Sequence, residues 1–196
     1  MTSKFNKVFS VYLDPDEFML LSESAFEHVL QLTENRLLSF NGNTPMKEFW
    51  GVLNVVWQVE PSNKLKLKVP DIAGLGASTF VVSPMYSQLF LNDFGENIEL
   101  LECNNDGAKW FAFNVLGFDN ALNEELSERN MRNGRPDRIR KFKRMVFNKS
   151  GITNPNLFRV RETGLFYYTT DAENSLYSIV KKNNISGLFF KEVECY

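Results

Sequence analysis

The chain is poor in the residues that usually carry chemistry. It has one histidine and two cysteines in 196 residues. The cysteines, Cys103 and Cys195, match neither a zinc-finger spacing nor a CxxC redox pair. With one imidazole and no clustered thiols, a zinc site is not expected. The lone His28 sits inside a helix read over Ser22–Leu38. Its neighbours at helical spacing are Ser24 and Leu32, a boundary position that suits packing better than general-base work. No run approaches the about 18 apolar residues that span a bilayer. The first residues, MTSKFNKVFSVYLDPDE, contain no apolar core or small-residue cleavage site of a secretory signal. Two unpaired thiols and no leader point to a cytoplasmic protein. Nucleophile-elbow, P-loop and GxGxxG patterns are all missing, and Gly74-Leu75-Gly76 is too short for a dinucleotide fingerprint. No catalytic residue, cofactor or metal ligand is therefore assigned.

Aromatic residues are plentiful, with 18 phenylalanines. Most belong in a core, and any surplus suits a contact surface. The net charge is −2, but it is unevenly spread. Arg129 to Lys149 holds nine basic residues and one acid, leaving 13 basic and 23 acidic residues elsewhere. Such an acidic remainder fits a basic partner, because complementary fields speed encounter and fix orientation.

Local patterns give an α+β protein, mostly antiparallel sheets with a few short helices. Lys7–Leu13 reads as a strand stopped by Asp14-Pro15. Val55–Glu60 and the Lys/Leu-alternating Lys64–Val69 read as a hairpin around Pro61-Ser62-Asn63. Pro70 and the glycines at 74 and 76 suggest a boundary, with an N-terminal subdomain at 1–69 and a second domain at 70–196, or one continuous domain. Phe80–Val82 is a strand, Ser83-Pro84 a helix start, and Ile98–Cys103 and Lys109–Leu116 strands about an Asn-Asn-Asp-Gly turn. A short helix is expected over Ala121–Arg129, a loop around Asn133-Gly134-Arg135-Pro136, and a strand over Ile139–Phe147. A hairpin follows about Thr163-Gly164, then a helix over Asp171–Lys182 and a closing strand over Leu188–Val193. Phe80–Cys103 and Phe166–Val193 look like two similar strand–helix–strand units.

Three sets of charged residues are candidates for contact with a partner. Glu96, Glu99 and Glu102 form one acidic set, and Glu124, Glu125 and Glu128 another. Their bland reading is solvated surface; as carboxylate pairs they would suit hydrolysis; as a face they would dock a basic protein. The third set is the basic segment Arg135–Arg144. A strand there divides Arg138, Arg140 and Phe142 from Lys141 and Lys143. That segment is open to three readings: a solvated or internally paired strand, a protein-docking patch, or a nucleic-acid contact with few rings to stack on bases.

From Pro70 to Val193 the chain resembles the small cytoplasmic immunity proteins that accompany bacterial polymorphic toxins. The residues carrying the resemblance are Pro70-Asp71-Ile72, Val81-Val82-Ser83, Ile98-Glu99-Leu100-Leu101 and Phe113-Asn114-Val115-Leu116. Further along they are Asp119, Ala121, Leu122, Ser127, Phe158-Arg159, Gly187-Leu188-Phe189-Phe190 and Glu192-Val193. The resemblance implies a protein that is not an enzyme. It would bind the toxin domain of a secreted effector, block its active site and protect the producing cell, with no role for nucleic acid or membrane.

Overall fold

The computed structural model describes residues 5–24, 40, 42–58, 67–76, 79–91, 94, 96–137 and 141–196. Strand dominates them. Two α-helices occur among them, Gln88–Leu91 (α1) and Leu176–Asn183 (α2). The helix read over Ser22–Leu38 lies mostly outside the described residues, as do His28 and the turn Pro61-Ser62-Asn63. The chain forms two compact units: residues 12–117 with 179–189, and residues 1–11 with 118–178 and 190–196.

The opening strand β1 (Val8–Leu13) matches its expectation. In the larger unit, six strands close a barrel: β2 (Leu21–Glu23), β3 (Leu53–Trp57), β4 (Ile72–Leu75), β5 (Thr79–Val82), β6 (Ile98–Asn105) and β7 (Ala108–Val115). Their order around the barrel is β2-β3-β6-β7-β5-β4. Two seams are parallel, Leu21 beside Leu75 and Leu53 beside Cys103. Both join residues far apart in sequence, so residues 12–69 and 70–117 share one unit and the expected division at residue 70 is not where the units part. Strand alternation decides which side chains fill the barrel. Leu21, Leu53, Val55, Leu75, Val81, Leu101, Cys103, Trp110 and Ala112 point inward, joined by Phe40 and Met46.

The opposite faces of β5 and β7 hold Phe80 and Phe113, whose rings lie 4.9 Å apart. Phe90 of α1 and Phe94 pack on Phe113 at 5.4 and 5.9 Å, so the connection from β5 to β6 is fastened outside the barrel wall. The helix expected to start at Ser83-Pro84 starts at Gln88 instead; a turn precedes it, in which the Ser83 carbonyl accepts the Tyr86 and Ser87 N–H groups at 3.2 and 3.1 Å. Asp106-Gly107 turns β6 into β7 with both residues at positive φ, as a two-residue hairpin requires. Asp71 Oδ2 accepts the Ser186 N–H and hydroxyl at 2.9 and 2.6 Å. Beside it, a side chain at Gly187 would strike the Ile72 carbonyl oxygen, and its φ is +106°. Residues from both ends of the segment that carries the resemblance thus meet in one structural joint.

The smaller unit is built on a five-stranded sheet of β1, β12 (Val146–Phe147), β13 (Phe158–Arg159), β14 (Tyr167–Thr170) and β15 (Leu188–Cys195), in the order β12-β15-β1-β14-β13. Before β12 come four short strands: β8 (Glu128–Arg129), β9 (Met131–Arg132), β10 (Arg135–Pro136) and β11 (Phe142–Arg144). Val8, Phe147, Phe158, Val160 and Tyr168 form the core. The helix expected over Ala121–Arg129 does not form. Leu122 bridges Phe147 instead, the Asn123 side chain accepts the Leu126 N–H at 3.0 Å, and Ser127 exchanges hydrogen bonds with Val146. Pairing with β12 therefore prevails over local helix propensity. The expected strand over Ile139–Phe147 is split, because β11 pairs with β8 while β12 pairs with β15; residues 138–140 lie outside the described set. The last helix starts at Leu176 and not Asp171. Ser175 is its cap, accepting the Ser178 N–H at 3.2 Å, while Asp171 accepts the N–H groups of Asn6 and Lys7 at 2.7 and 2.9 Å.

Candidate functional site

The acidic residues divide between the units. Glu96 is exposed in the turn before β6. Glu99 has the inward parity of Leu101 and Cys103 and pairs across the ladder with Asn114. Its carboxylate accepts the N–H groups of Met46 and Lys47 at 2.8 and 3.1 Å and the Asn114 amide at 2.7 Å. It therefore holds the segment from which Met46 joins the barrel core. Glu102, three positions on, faces the other way and pairs with Lys109 at 3.2 Å. The two carboxylates of β6 do not converge.

In the smaller unit Glu124 pairs with Arg129 at 3.4 Å and Glu128 with Lys143 at 2.8 Å. Glu125 is exposed in the turn between Asn123 and Ser127. Arg138 and Arg140 lie outside the described residues. A further bidentate pair joins Arg144 to Glu194, with Nε 2.9 Å from Oε1. The Arg144 guanidinium holds the Glu194 carboxyl below the usual carboxylate range. Of the six candidate glutamates, only Glu96 and Glu125 form no ion pair or hydrogen bond from their carboxylates among the described residues.

A cleft of about 550 Å³ opens in the smaller unit, lined by Phe118, Asp119, Asn120, Asn148, Ser150, Gly151 and Thr153. Asp119 is its buried carboxylate, and it is fully occupied by its own wall. It accepts the N–H and hydroxyl of Thr153 at 2.9 and 2.7 Å, and the N–H and side-chain amide of Asn154 at 3.0 and 2.7 Å. Asn148 accepts the Asn123 amide at 2.8 Å. Phe118 lies between two guanidinium groups, Arg159 at 5.3 Å and Arg161 at 4.6 Å. Arg159 is buried, donates to the Gly164 carbonyl at 3.1 Å, and has its pKa lowered by that burial. The cleft is thus a braced corner of the fold, with the exposed Arg161 stacked on its Phe118. Among the described residues no group of three or more His, Cys, Asp or Glu is placed to hold a metal, and no helix is long and apolar enough to cross a membrane.

The features that local sequence patterns did not mark are surface ones. Around α1, Met85 is 78% exposed, and Leu89 and Leu91 are exposed as well, while Phe90 between them is buried. Residues 131–135, the tip of β9 and β10, are all exposed, Met131 among them. The alternation about Asn133-Gly134 could have shown this arm as a hairpin; a reading as loop concealed it.

Charge also divides by unit. The barrel unit has 14 acidic and 8 basic residues, a net of −6, and the sheet unit 10 acidic and 14 basic, a net of +4. No protein-family model matches the chain, and no curated protein matches it.

Proposed function

We propose that this chain is a cytoplasmic binding protein, not an enzyme, that neutralises a secreted antibacterial toxin by covering the toxin's active site. The observation that carries the reading is the apolar surface around α1. Three large apolar side chains, Met85, Leu89 and Leu91, are exposed within seven residues, although Phe90 shows that the same segment can bury a ring. Isolated exposed apolar residues need no explanation, but a cluster on one short segment marks a contact surface. Interfaces place such residues, methionine in particular, at a dry centre surrounded by polar groups. The resemblance over Pro70–Val193 supplies the partner class. The net −6 of the barrel unit suits a basic toxin surface, with Glu96 an exposed carboxylate there.

The reading also takes Phe80–Cys103 and Phe166–Val193 as two uses of one strand–helix–strand design. Sheet order supports this: β7 lies between β5 and β6, and β1 lies between β14 and β15.

The test is co-expression with the toxin domain encoded beside this gene, with growth as the readout. Wild-type chain restores growth. Met85→Asp with Leu89→Asp keeps its melting temperature but binds the toxin at least about tenfold more weakly, because a charge is forced into the centre of the interface. A toxin that kills equally with and without the wild-type chain refutes the reading.

A further inference from the structure

The β9–β10 arm contains a local conflict that the fold does not resolve. Met131 pairs with Pro136 and Arg132 with Arg135 across the two-residue turn Asn133-Gly134. The turn itself is favourable. Both central residues have positive φ, +52° and +75°, as the tight hairpin geometry demands. The Asp137 N–H continues the ladder to the Asn130 carbonyl at 2.9 Å. Yet the register sets two arginines directly opposite each other, and like charges so placed destabilise a strand pair. Neighbouring cations are neutralised: Arg129 by Glu124, Lys143 by Glu128, Arg144 by Glu194. Arg132 and Arg135 form no ion pair among the described residues, and both are exposed. A local rule broken without compensation inside the fold is the mark of a functional position.

The geometry points to an anion-gripping finger: Arg132 and Arg135, side by side on one face of the hairpin, close on a carboxylate of an acidic patch on the partner protein. An anion between the two guanidinium groups turns their repulsion into two charge-assisted hydrogen bonds. Arginine is also among the side chains enriched where protein interfaces concentrate their energy. Nucleic acid is the weaker fit. A backbone track needs a row of cations, and here three of the five named are neutralised. Bases need open rings, and Phe142, the ring beside this arm, is covered by the Arg129 guanidinium at 5.2 Å. The inference rests on the proposed function for the existence of a protein partner, and it adds that this partner presents acid to the sheet unit.

The experiment has two arms, both on the full chain. In the first, a fluorescent oligoglutamate peptide and a single-stranded oligonucleotide of equal negative charge are titrated by anisotropy, at about 50 and about 200 mM salt. The wild type binds the peptide more tightly than the oligonucleotide. Arg132→Gln with Arg135→Gln weakens the peptide about tenfold, whereas Lys47→Gln with Lys109→Gln, which removes two exposed charges elsewhere, changes it less than about twofold. The finger is refuted by no peptide binding, by equal loss in the two double variants, or by tighter binding of the oligonucleotide. In the second arm the same variants are co-expressed with the neighbouring toxin. If wild type protects and Arg132→Gln with Arg135→Gln protects equally well, the finger is wrong and the neutralising role stands. If wild type does not protect, the neutralising role is wrong, and the peptide titration still decides whether the finger grips carboxylates.

Discussion

Single carboxylates in this protein are mostly fasteners. Glu99 shows it best, because its three donors come from two distant stretches of chain, Met46-Lys47 and Asn114. Glu99→Gln should cost about 2 kcal/mol in a urea titration, the usual loss when a charged acceptor of backbone donors is neutralised. Glu125→Gln, on an exposed turn, should leave the midpoint unchanged. Equal effects would mean that Glu99 is surface charge only. Cys103 is a second case. It is sealed in the barrel, and burial pushes its thiol up to about 12. It should resist thiol reagents until the protein unfolds, while half-buried Cys195 labels slowly in the native state; rapid labelling of Cys103 at neutral pH would contradict a closed barrel. The Arg144–Glu194 pair gives a pH signature. The folded carboxyl titrates below its unfolded range, so its contribution is present at neutral pH and is lost as pH falls through the lowered value. The difference in melting temperature between wild type and Glu194→Gln should shrink from neutral to strongly acid pH.

Elements held by local rules were legible. β1, β5 and the β6–β7 hairpin follow from alternation and from Asp106-Gly107, each of which acts within a few residues. Barrel closure was not legible. It depends on the parallel seams Leu21 to Leu75 and Leu53 to Cys103, and no local period records which distant strands will pair. The helix expected over Ala121–Arg129 failed for the same reason, since β12 provides partners that the local pattern does not contain. Glu99 looked like part of a docking face because the Met46 and Lys47 amides it holds lie far away in sequence. The aromatic fastening of α1 was legible as a Phe-rich core but not as a cluster outside the barrel. Phe113→Ala removes the ring that Phe80, Phe90 and Phe94 share. It should cost about 4 kcal/mol by calorimetry or urea titration, as large-to-small changes at buried rings do. A loss below about 1 kcal/mol would show that the β5–β6 connection is held in some other way.

The two units differ in charge and in what they expose. An acidic barrel unit bears the exposed apolar surface, and a basic sheet unit bears the arginine arm. Its charge pattern was only half legible in composition. Removing the basic segment left a remainder that looked uniformly acidic, whereas the fold draws Lys7, Arg159, Arg161 and Lys191 to the same unit as that segment. The proposed function depends on this chain occupying another protein's surface. Isothermal titration of the purified chain with the purified neighbouring toxin domain tests that most directly. A neutralising protein gives a saturable one-to-one complex that abolishes the toxin's activity and loses affinity when Met85 and Leu89 become Asp. A toxin that stays fully active in the presence of excess chain, with no heat of binding, would contradict it.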